Sequence, residues 1–455
     1  MFEHADMTLR TSTATATLAV LSVAQFLIAL DYSIIYIALP SIAADLRLMP
    51  ELAQWVISAY AVLFAGFLVV GGRLADRLGA RRLFIVAILL FGAASAAGGA
   101  AGDGTLLLAA RGAQGLGAAL LQPAVLGLIQ ATFPAGPERG KALAVWGSVG
   151  ASGLAAGAVL GGLLTTASWR LTFYVNVPLT LLCALGAAVW IRAVKADTLP
   201  TGVPLLASGL GTGTVLALVL GLTFGSARGW DSAPALVCLG LASAGFLAFV
   251  RNEKASQAVL IEPILRRISS LRVGAAATAL YMASVGSEFY LLTLLLQSMK
   301  AYTPLEAGIA FLPLALMVTV GSTTAGRAVR RFDPATVLAT GFALAILGLL
   351  WISLTLHGDS YVVALLPGLV LSGFGHGAIY TSMFIIGTHD VPAANQGTAG
   401  ALLTTSQYLA GAVTVAVLTL ALGTSPDYGS FRTAFLLTTA AAAGGLGVAL
   451  FRRRG

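Results

Sequence analysis

Four titratable side chains stand inside long apolar runs of this 455-residue chain, and each poses an energetic problem. Asp31 lies in ALDYSIIYIALPSI at residues 29–42, with no basic residue among the ten positions before it. Glu288 lies in a similar setting, Ser287-Glu288-Phe289-Tyr290. Arg111 opens the stretch RGAQGLGAALLQPA at 111–124, and His376 lies in SGFGHGAIYTS at 372–382. An ionised side chain in an apolar medium is costly unless it is paired. A carboxylate can resolve that cost with a proton, an arginine or a bound cation. A group that trades one of these for another couples proton movement to cation movement. Low dielectric disfavours the charged form of Asp31, whereas Arg111 beside it would favour that form. The two can equally make a fixed ion pair. Arg111 has three candidate partners, namely Asp31, Gln114 and a backbone carbonyl, or it snorkels to a membrane surface. The ordinary titration range of His376 suits proton traffic, while a lone histidine among glycines can equally be a hydrogen-bonded packing residue.

The elements that carry these residues follow from composition. The chain is 58% hydrophobic and 10% charged, with a mean hydropathy of +0.91. Soluble domains carry roughly 25% charged residues, so this is the composition of a polytopic membrane protein. About 20 apolar residues in helix cross a bilayer core. Fourteen runs qualify: 15–42, 52–72, 83–100, 105–130, 141–166, 172–192, 203–223, 234–250, 272–298, 306–326, 335–356, 361–388, 396–421 and 431–450. No run alternates as a barrel strand does. The first run is too long for a cleaved leader and has no convincing cleavage site. Cys183 and Cys238 both fall in apolar runs, which argues against a disulfide framework or a cysteine-based zinc site.

The net charge of +8 is distributed like membrane topology rather than like a nucleic-acid surface. With the N-terminus inside and loops alternating, twenty Lys and Arg fall inside and five outside. Arg111 alone lies within a span, which accounts for all 26 basic residues. Both termini are expected on the cytoplasmic side of the cell membrane. The same audit of the 18 acids leaves only Asp31 and Glu288 inside spans. Each sits 16 residues into its run, the first and the ninth, and about forty residues later comes a glycine-arginine loop. The loops are GGRLADRLGARR at 71–82 and AGRAVRRFDPAT at 325–336. This is a weak six-span repeat with two spans inserted between its copies. Parallel repeats of this kind place a transport site between two halves. The expected division is 1–195 for the first bundle, 196–255 for the inserted pair and 256–455 for the second bundle.

These residues resemble the major facilitator superfamily, in particular its fourteen-span drug:proton antiporter branch. The loop Gly72-Arg73-Leu74-Ala75-Asp76-Arg77-Leu78-Gly79-Ala80-Arg81-Arg82 is similar to the loop between its second and third spans. The resemblance implies a conformational latch made by Gly72, Asp76, Arg77, Gly79, Arg81 and Arg82. Glycine allows the tight turn and close helix approach, Asp76 can cap a helix end, and the arginines can meet acids and helix C-termini. Ala80 replaces the usual basic residue, with Arg81 next to it, and Arg330 stands in the second loop where the first has Asp76. The stretch at 111–124 resembles the family's fourth-span motif. In WGSVGASGLAAGAVLGGLL at 146–164, Gly153, Gly157 and Gly161 share one helix face and are expected to pack closely on another helix. Ala158 stands where the branch has proline, so that kink is absent. SWRLTFYVNVP at 168–178 and the stretch 290–316 also resemble the branch.

The resemblance implies an all-α membrane fold of two six-helix bundles plus two inserted helices. It implies export of lipophilic, often cationic drugs or metabolites in exchange for protons, by alternating access. Asp31, Glu288, Arg111 and His376 are the expected proton-coupling residues. Asp31, Tyr32, Tyr36, Gln25, Gln122, Asn176, Glu288, Phe289, Tyr290 and Gln407 are the expected substrate contacts. The aromatic ones suit stacking on cations. No cofactor, metal or nucleic acid is expected. Its partners are a lipophilic small molecule, protons and membrane lipids, and it is expected to work as a monomer. A proton symporter or facilitator of one small solute is the alternative on the same fold. An intramembrane enzyme lacks support, because HExxH, GxSxG and phosphate-loop motifs are absent and the four histidines have no metal spacing.

Overall fold

In the computed structural model, which describes residues 2–134, 136–192, 205–256, 259–423 and 426–454, no strand occurs among the described residues. The first half comprises α1 (Phe2–Asp45), α2 (Pro50–Leu78), α3 (Ala80–Gly99), α4 (Gly104–Thr132), α5 (Pro137–Ala167), α6 (Leu171–Tyr174) and α7 (Asn176–Trp190). The inserted pair is α8 (Leu205–Arg228) and α9 (Ala233–Ala255). The short α10 (Pro263–Arg267) leads into α11 (Ser269–Ala283), α12 (Val285–Leu294), α13 (Pro304–Ala310), α14 (Leu312–Ala328) and α15 (Pro334–Thr355). The chain closes with α16 (Tyr361–Ala364), α17 (Leu366–Thr388), α18 (Gln396–Leu422) and α19 (Tyr428–Arg454). Several of these are halves of one rod: α6 with α7, α11 with α12, α13 with α14, and α16 with α17. The rods then number fourteen, one for each apolar run. Among the described residues, 13 helical segments are long and apolar enough to span a bilayer, and the remaining rod is the 31-residue α5.

Local chemistry sets the ends. Pro occupies the first turn of α2, α5, α9 and α15, where its missing N–H costs nothing. Asp103 caps α4, accepting from the Leu106 N–H at 2.9 Å, and so fixes the start of the helix that carries Arg111. Gly79, at φ 85°, turns α2 into α3 with no linker between them.

Within the first half α1 packs on α5, and α4 lies between α2 and α3. Within the second half α17 packs on α14 and α15, with α11 against α18. The halves meet along two seams, α2 with α18 and α5 with α14. The inserted α8 rests on α2 and touches α18, and α9 packs on α8. One hydrophobic core runs through both halves. The boundary expected at 195/196 lies outside the described residues. One end of the bundle carries Arg73, Arg77, Arg81 and Arg82 around the α2–α3 turn, and is called the basic end below.

Topology can be read chemically. The exposed Asp231 and Arg267 flank α9, a single crossing. Cysteines placed there in a background without Cys183 and Cys238 are expected to label from opposite faces, the second from the cytoplasm. Labelling of both from one side would contradict the orientation drawn from the charge bias.

Candidate functional site

The apolar interior of the first half holds one closed polar cluster. Arg111, 1% exposed, donates from Nη1 to Asp31 Oδ2 at 2.7 Å and to Gln114 Oε1 at 2.9 Å. Its Nε donates to the Val56 carbonyl at 2.9 Å. All three partners anticipated for this arginine are therefore present together, and snorkelling is not its solution. Its guanidinium also lies 4.6 Å from the centre of the Tyr60 ring. Asp31 Oδ1 accepts from Gln114 Nε2 at 3.0 Å and Asn176 Nδ2 at 3.0 Å. Ser95 Oγ accepts from Gln114 at 2.8 Å and from Asn176 at 3.4 Å. Five helices supply this cluster: α1, α2, α3, α4 and α7. A buried charge so surrounded is neutralised in place.

Glu288 is arranged differently. Its rod breaks at Ser284, whose backbone has ψ −104°, and Glu288 falls in the first turn of the second piece, α12. The glutamate is fully buried. Ser372 Oγ donates to Oε1 at 2.7 Å, and Oε2 has no partner among the described residues. No salt bridge reaches this glutamate among the described residues. Glu288 thus lies near the positive end of the α12 dipole, which favours an acid there. His376 stands one turn beyond Ser372 on α17. Its Nε2 meets the Tyr281 hydroxyl, and Nδ1 has no partner among the described residues.

The remaining expected contacts spread around these centres. Tyr32 and Tyr36 meet edge-on at 5.6 Å, with their hydroxyls 3.4 Å apart. Tyr36 is 40% exposed. Tyr290, from the other half, is within electrostatic range of it and bonds Thr419 at 2.9 Å. Phe289 packs against Phe311, the rings tilted and their centres 4.4 Å apart. Gln25 and Gln122 are buried, each with an unpartnered Oε1 among the described residues. Gln407 is buried on α18.

At the basic end, Asp76 reaches across to the other half. It accepts from Gly397 N at 2.8 Å, Thr398 N at 2.9 Å and Thr398 Oγ1 at 2.6 Å. These are the first donors of α18, so a carboxylate from α2 caps a helix of the opposite half. Gly72 makes this approach possible, because a Cβ there would stand 2.6 Å from Ala401 Cβ and 2.8 Å from Gly397 O. The second loop keeps the glycine contact without the cap. A Cβ on Gly326 would stand 2.6 Å from Ala144 Cβ on α5, but Arg330 occupies the place of the acid. Arg81 turns back to its own half, donating to Ala187 O at 3.3 Å and Ala188 O at 2.7 Å near the end of α7. Arg77 is half-buried and Arg82 is exposed. Gly153, Gly157 and Gly161 all face α1: a Cβ on Gly153 would meet Phe26 O at 2.6 Å, one on Gly157 would collide with Ser33 Oγ, and one on Gly161 would lie 3.1 Å from Ile37 Cβ.

Asp76→Asn is expected to weaken closure of the basic end. An amide keeps one acceptor oxygen but loses the charge and one acceptor. Hydrogen bonds to a charged group contribute about 1.5–3 kcal/mol, so the gate equilibrium should move roughly 10- to 100-fold toward opening. Transport should slow while substrate affinity stays near wild type. Loss of affinity with an unchanged turnover rate would show that Asp76 is not a gate residue.

The family model for the major facilitator superfamily matches residues 21–204 and 186–415. The chain belongs to the major facilitator superfamily. Its relatives in the superfamily include a puromycin resistance protein of Streptomyces alboniger, 38% identical over 429 residues, covering 90% of this chain and 82% of that protein. A cephamycin export protein of Amycolatopsis lactamdurans is 35% identical, covering 90% and 85%. The superfamily fold also appears in a human organic anion transporter, at a TM-score of 0.71 and 15% identity, covering 96% of this chain and 99% of that one. A fucose transporter of the superfamily in an outward conformation matches at a TM-score of 0.67 and 17% identity, covering 97% and 99%. The protein is therefore a multi-pass membrane transporter.

Several residues packed around these centres in this superfamily member escape a reading of its sequence. Ser372, which bonds Glu288, and Ser95, which bonds the two amides that hold Asp31, look like any small helix residue. Tyr60, Phe64, Tyr281, Tyr380 and Tyr408 form an aromatic band between the halves. Phe64 meets Tyr60 at 5.7 Å and Tyr408 at 4.5 Å, and Tyr281 meets Tyr380 at 5.6 Å. Tyr408 is within electrostatic range of Tyr60, Tyr281 and Tyr380. Trp146 stacks on Tyr380 at 5.5 Å and leaves its indole N–H without a partner among the described residues. One or two aromatics per helix, spread over α2, α5, α11, α17 and α18, make no pattern along the chain.

Proposed function

We propose that this transporter exports lipophilic, cationic or aromatic small molecules across the cell membrane in exchange for protons, by alternating access with both termini cytoplasmic. The observation that carries the reading is the unlike state of the two interior acids. Asp31 is fully paired within its own half. Glu288 has a single hydroxyl donor and, among the described residues, an unpartnered oxygen in a fully buried site. A bare carboxylate is costly there, so Glu288 is stable as the acid or as the anion with a cation beside it. Exchange of those two states is proton:cation antiport. Asp31 becomes a second proton site only when rocking of the halves draws it from Arg111. The open oxygens of Gln25 and Gln122, the indole N–H of Trp146 and Nδ1 of His376 are polar groups that a substrate or water can satisfy. The aromatic band offers stacking faces. The resistance named for the puromycin relative and the export named for the cephamycin relative support the substrate class and the direction.

Everted membrane vesicles containing the protein test this reading. An acid-interior pH gradient should drive uptake of a labelled lipophilic cation, and the reversed gradient should drive its release. Uptake that follows the proton inward with the substrate would instead establish symport.

A further inference from the structure

The inserted pair α8–α9, and the linker that follows it, have no counterpart in the six-span repeat. The linker's described residues 259–268 lead into α11 at the basic end. Glu253, buried in the last turns of α9, shapes it. Its carboxylate accepts from Leu260 N at 2.7 Å and Ile261 N at 3.1 Å. Arg266 closes the loop, donating to Glu253 Oε2 at 2.5 Å and to Ile261 O at 2.8 Å. The shape so fixed presents the Val259 carbonyl and the Glu262 carboxylate to α2. Arg73, 4% exposed, takes both: Nη1 to Glu262 Oε1 at 2.7 Å and Nη2 to Val259 O at 2.7 Å. The other oxygen of Glu262 accepts from Asn395 Nδ2 at 2.8 Å, at the residue before α18. Glu262 therefore holds an arginine of the first half and an asparagine of the second.

Arg73 lies one turn before Asp76 on α2. Two separate routes thus tie α2 to the start of α18, one direct through Asp76 and one through Arg73, Glu262 and Asn395. The insertion also sits across this seam deeper in the bundle. On α8, Leu216 fills the space beside Gly66 of α2, and Val219 clusters with Val62 and Ala65 of α2 and Leu409 and Ala412 of α18.

We propose that the inserted helix pair is a working part of the gate, and that it positions Glu262 as the anion holding Arg73 to the start of α18 when the basic end is shut. Arg73 is too buried to lose its partners one at a time without stranding a charge. The contact therefore breaks as a unit, when water reaches the seam. Glu262 is about a quarter exposed and rehydrates readily once released. Glu253 acts through the linker and is a positioning residue. The inference rests on alternating access from the preceding reading, and on nothing about what is carried or how it is coupled.

Spin labels on Leu78→Cys and Phe332→Cys, both exposed and at the basic end of opposite halves, report its opening by pulsed dipolar spectroscopy. Measured on the full chain in lipid nanodiscs at one pH without substrate, failure here is distinguishable from failure of the antiport reading. Glu262→Gln should raise the long-distance population about 30-fold, the low end for removing one member of a buried charge pair. Glu253→Gln, which touches neither Arg73 nor α18, should raise it in the same direction. The double variant should do no more than the larger single change, because both act on one contact. Unchanged distances in Glu253→Gln, or additive effects in the double variant, would overturn the proposal.

Discussion

Replacing Arg111 with leucine is expected to cost about 3–5 kcal/mol of stability and to abolish transport. The side chain makes three hydrogen bonds and one aromatic contact inside the first half. Removing it strands the Asp31 carboxylate, which is 2% exposed and has only two neutral amide donors left. A stranded buried charge is the dominant cost, larger than the value of the pair itself. Adding Asp31→Asn to Arg111→Leu should therefore recover a large part of the stability without recovering transport. Thermal unfolding of the purified single and double variants in detergent checks this. A double variant no more stable than Arg111→Leu alone would mean that Asp31 is not the group being neutralised. Arg111→Lys keeps the charge but is a single point donor, so it cannot reach Asp31, Gln114 and the Val56 carbonyl together.

Hydrophobic run length made the rods legible from sequence, because a bilayer demands about 20 apolar residues whatever lies around them. The rarity of charge in those runs singled out Asp31, Glu288 and Arg111, and the partner set of Arg111 followed from the cost of leaving it alone. The register of Gly153, Gly157 and Gly161 announced a close helix contact, though not that α1 provides it. Breaks within rods were not legible. The rod carrying Glu288 interrupts at Ser284, and Ser-Val-Gly-Ser inside an apolar run is as compatible with a continuous helix as with a break. The aromatic band and the Arg73–Glu262–Asn395 bridge were equally hidden. They join residues far apart in sequence, and in helices apolar all round no polar face tells which side is inward. Residues 259–268 are mostly apolar in sequence, and only their packing against α2 gives Glu262 its arginine partner.

Glu288→Gln should produce the other large effect, since it keeps the shape and the Ser372 contact while removing the carboxyl group proposed to exchange a proton. Glutamine cannot ionise, so the step that trades a proton for a cation is lost. Active transport of cationic substrates should fall by two orders of magnitude or more, about the weight of a single obligatory proton transfer. Asp31→Asn, by contrast, leaves Arg111 with an unpaired charge, and should lower stability as well as rate. The two acids are thus separable by whether the folded protein itself suffers. The most direct measurement is proton release from proteoliposomes on addition of a lipophilic cation, read with an internal pH dye at matched protein content. Wild type should release protons in proportion to substrate taken up, and Glu288→Gln should take up substrate only down its gradient, with no proton signal. Wild-type proton release per substrate in Glu288→Gln would contradict the assignment and move the exchange site elsewhere in the bundle.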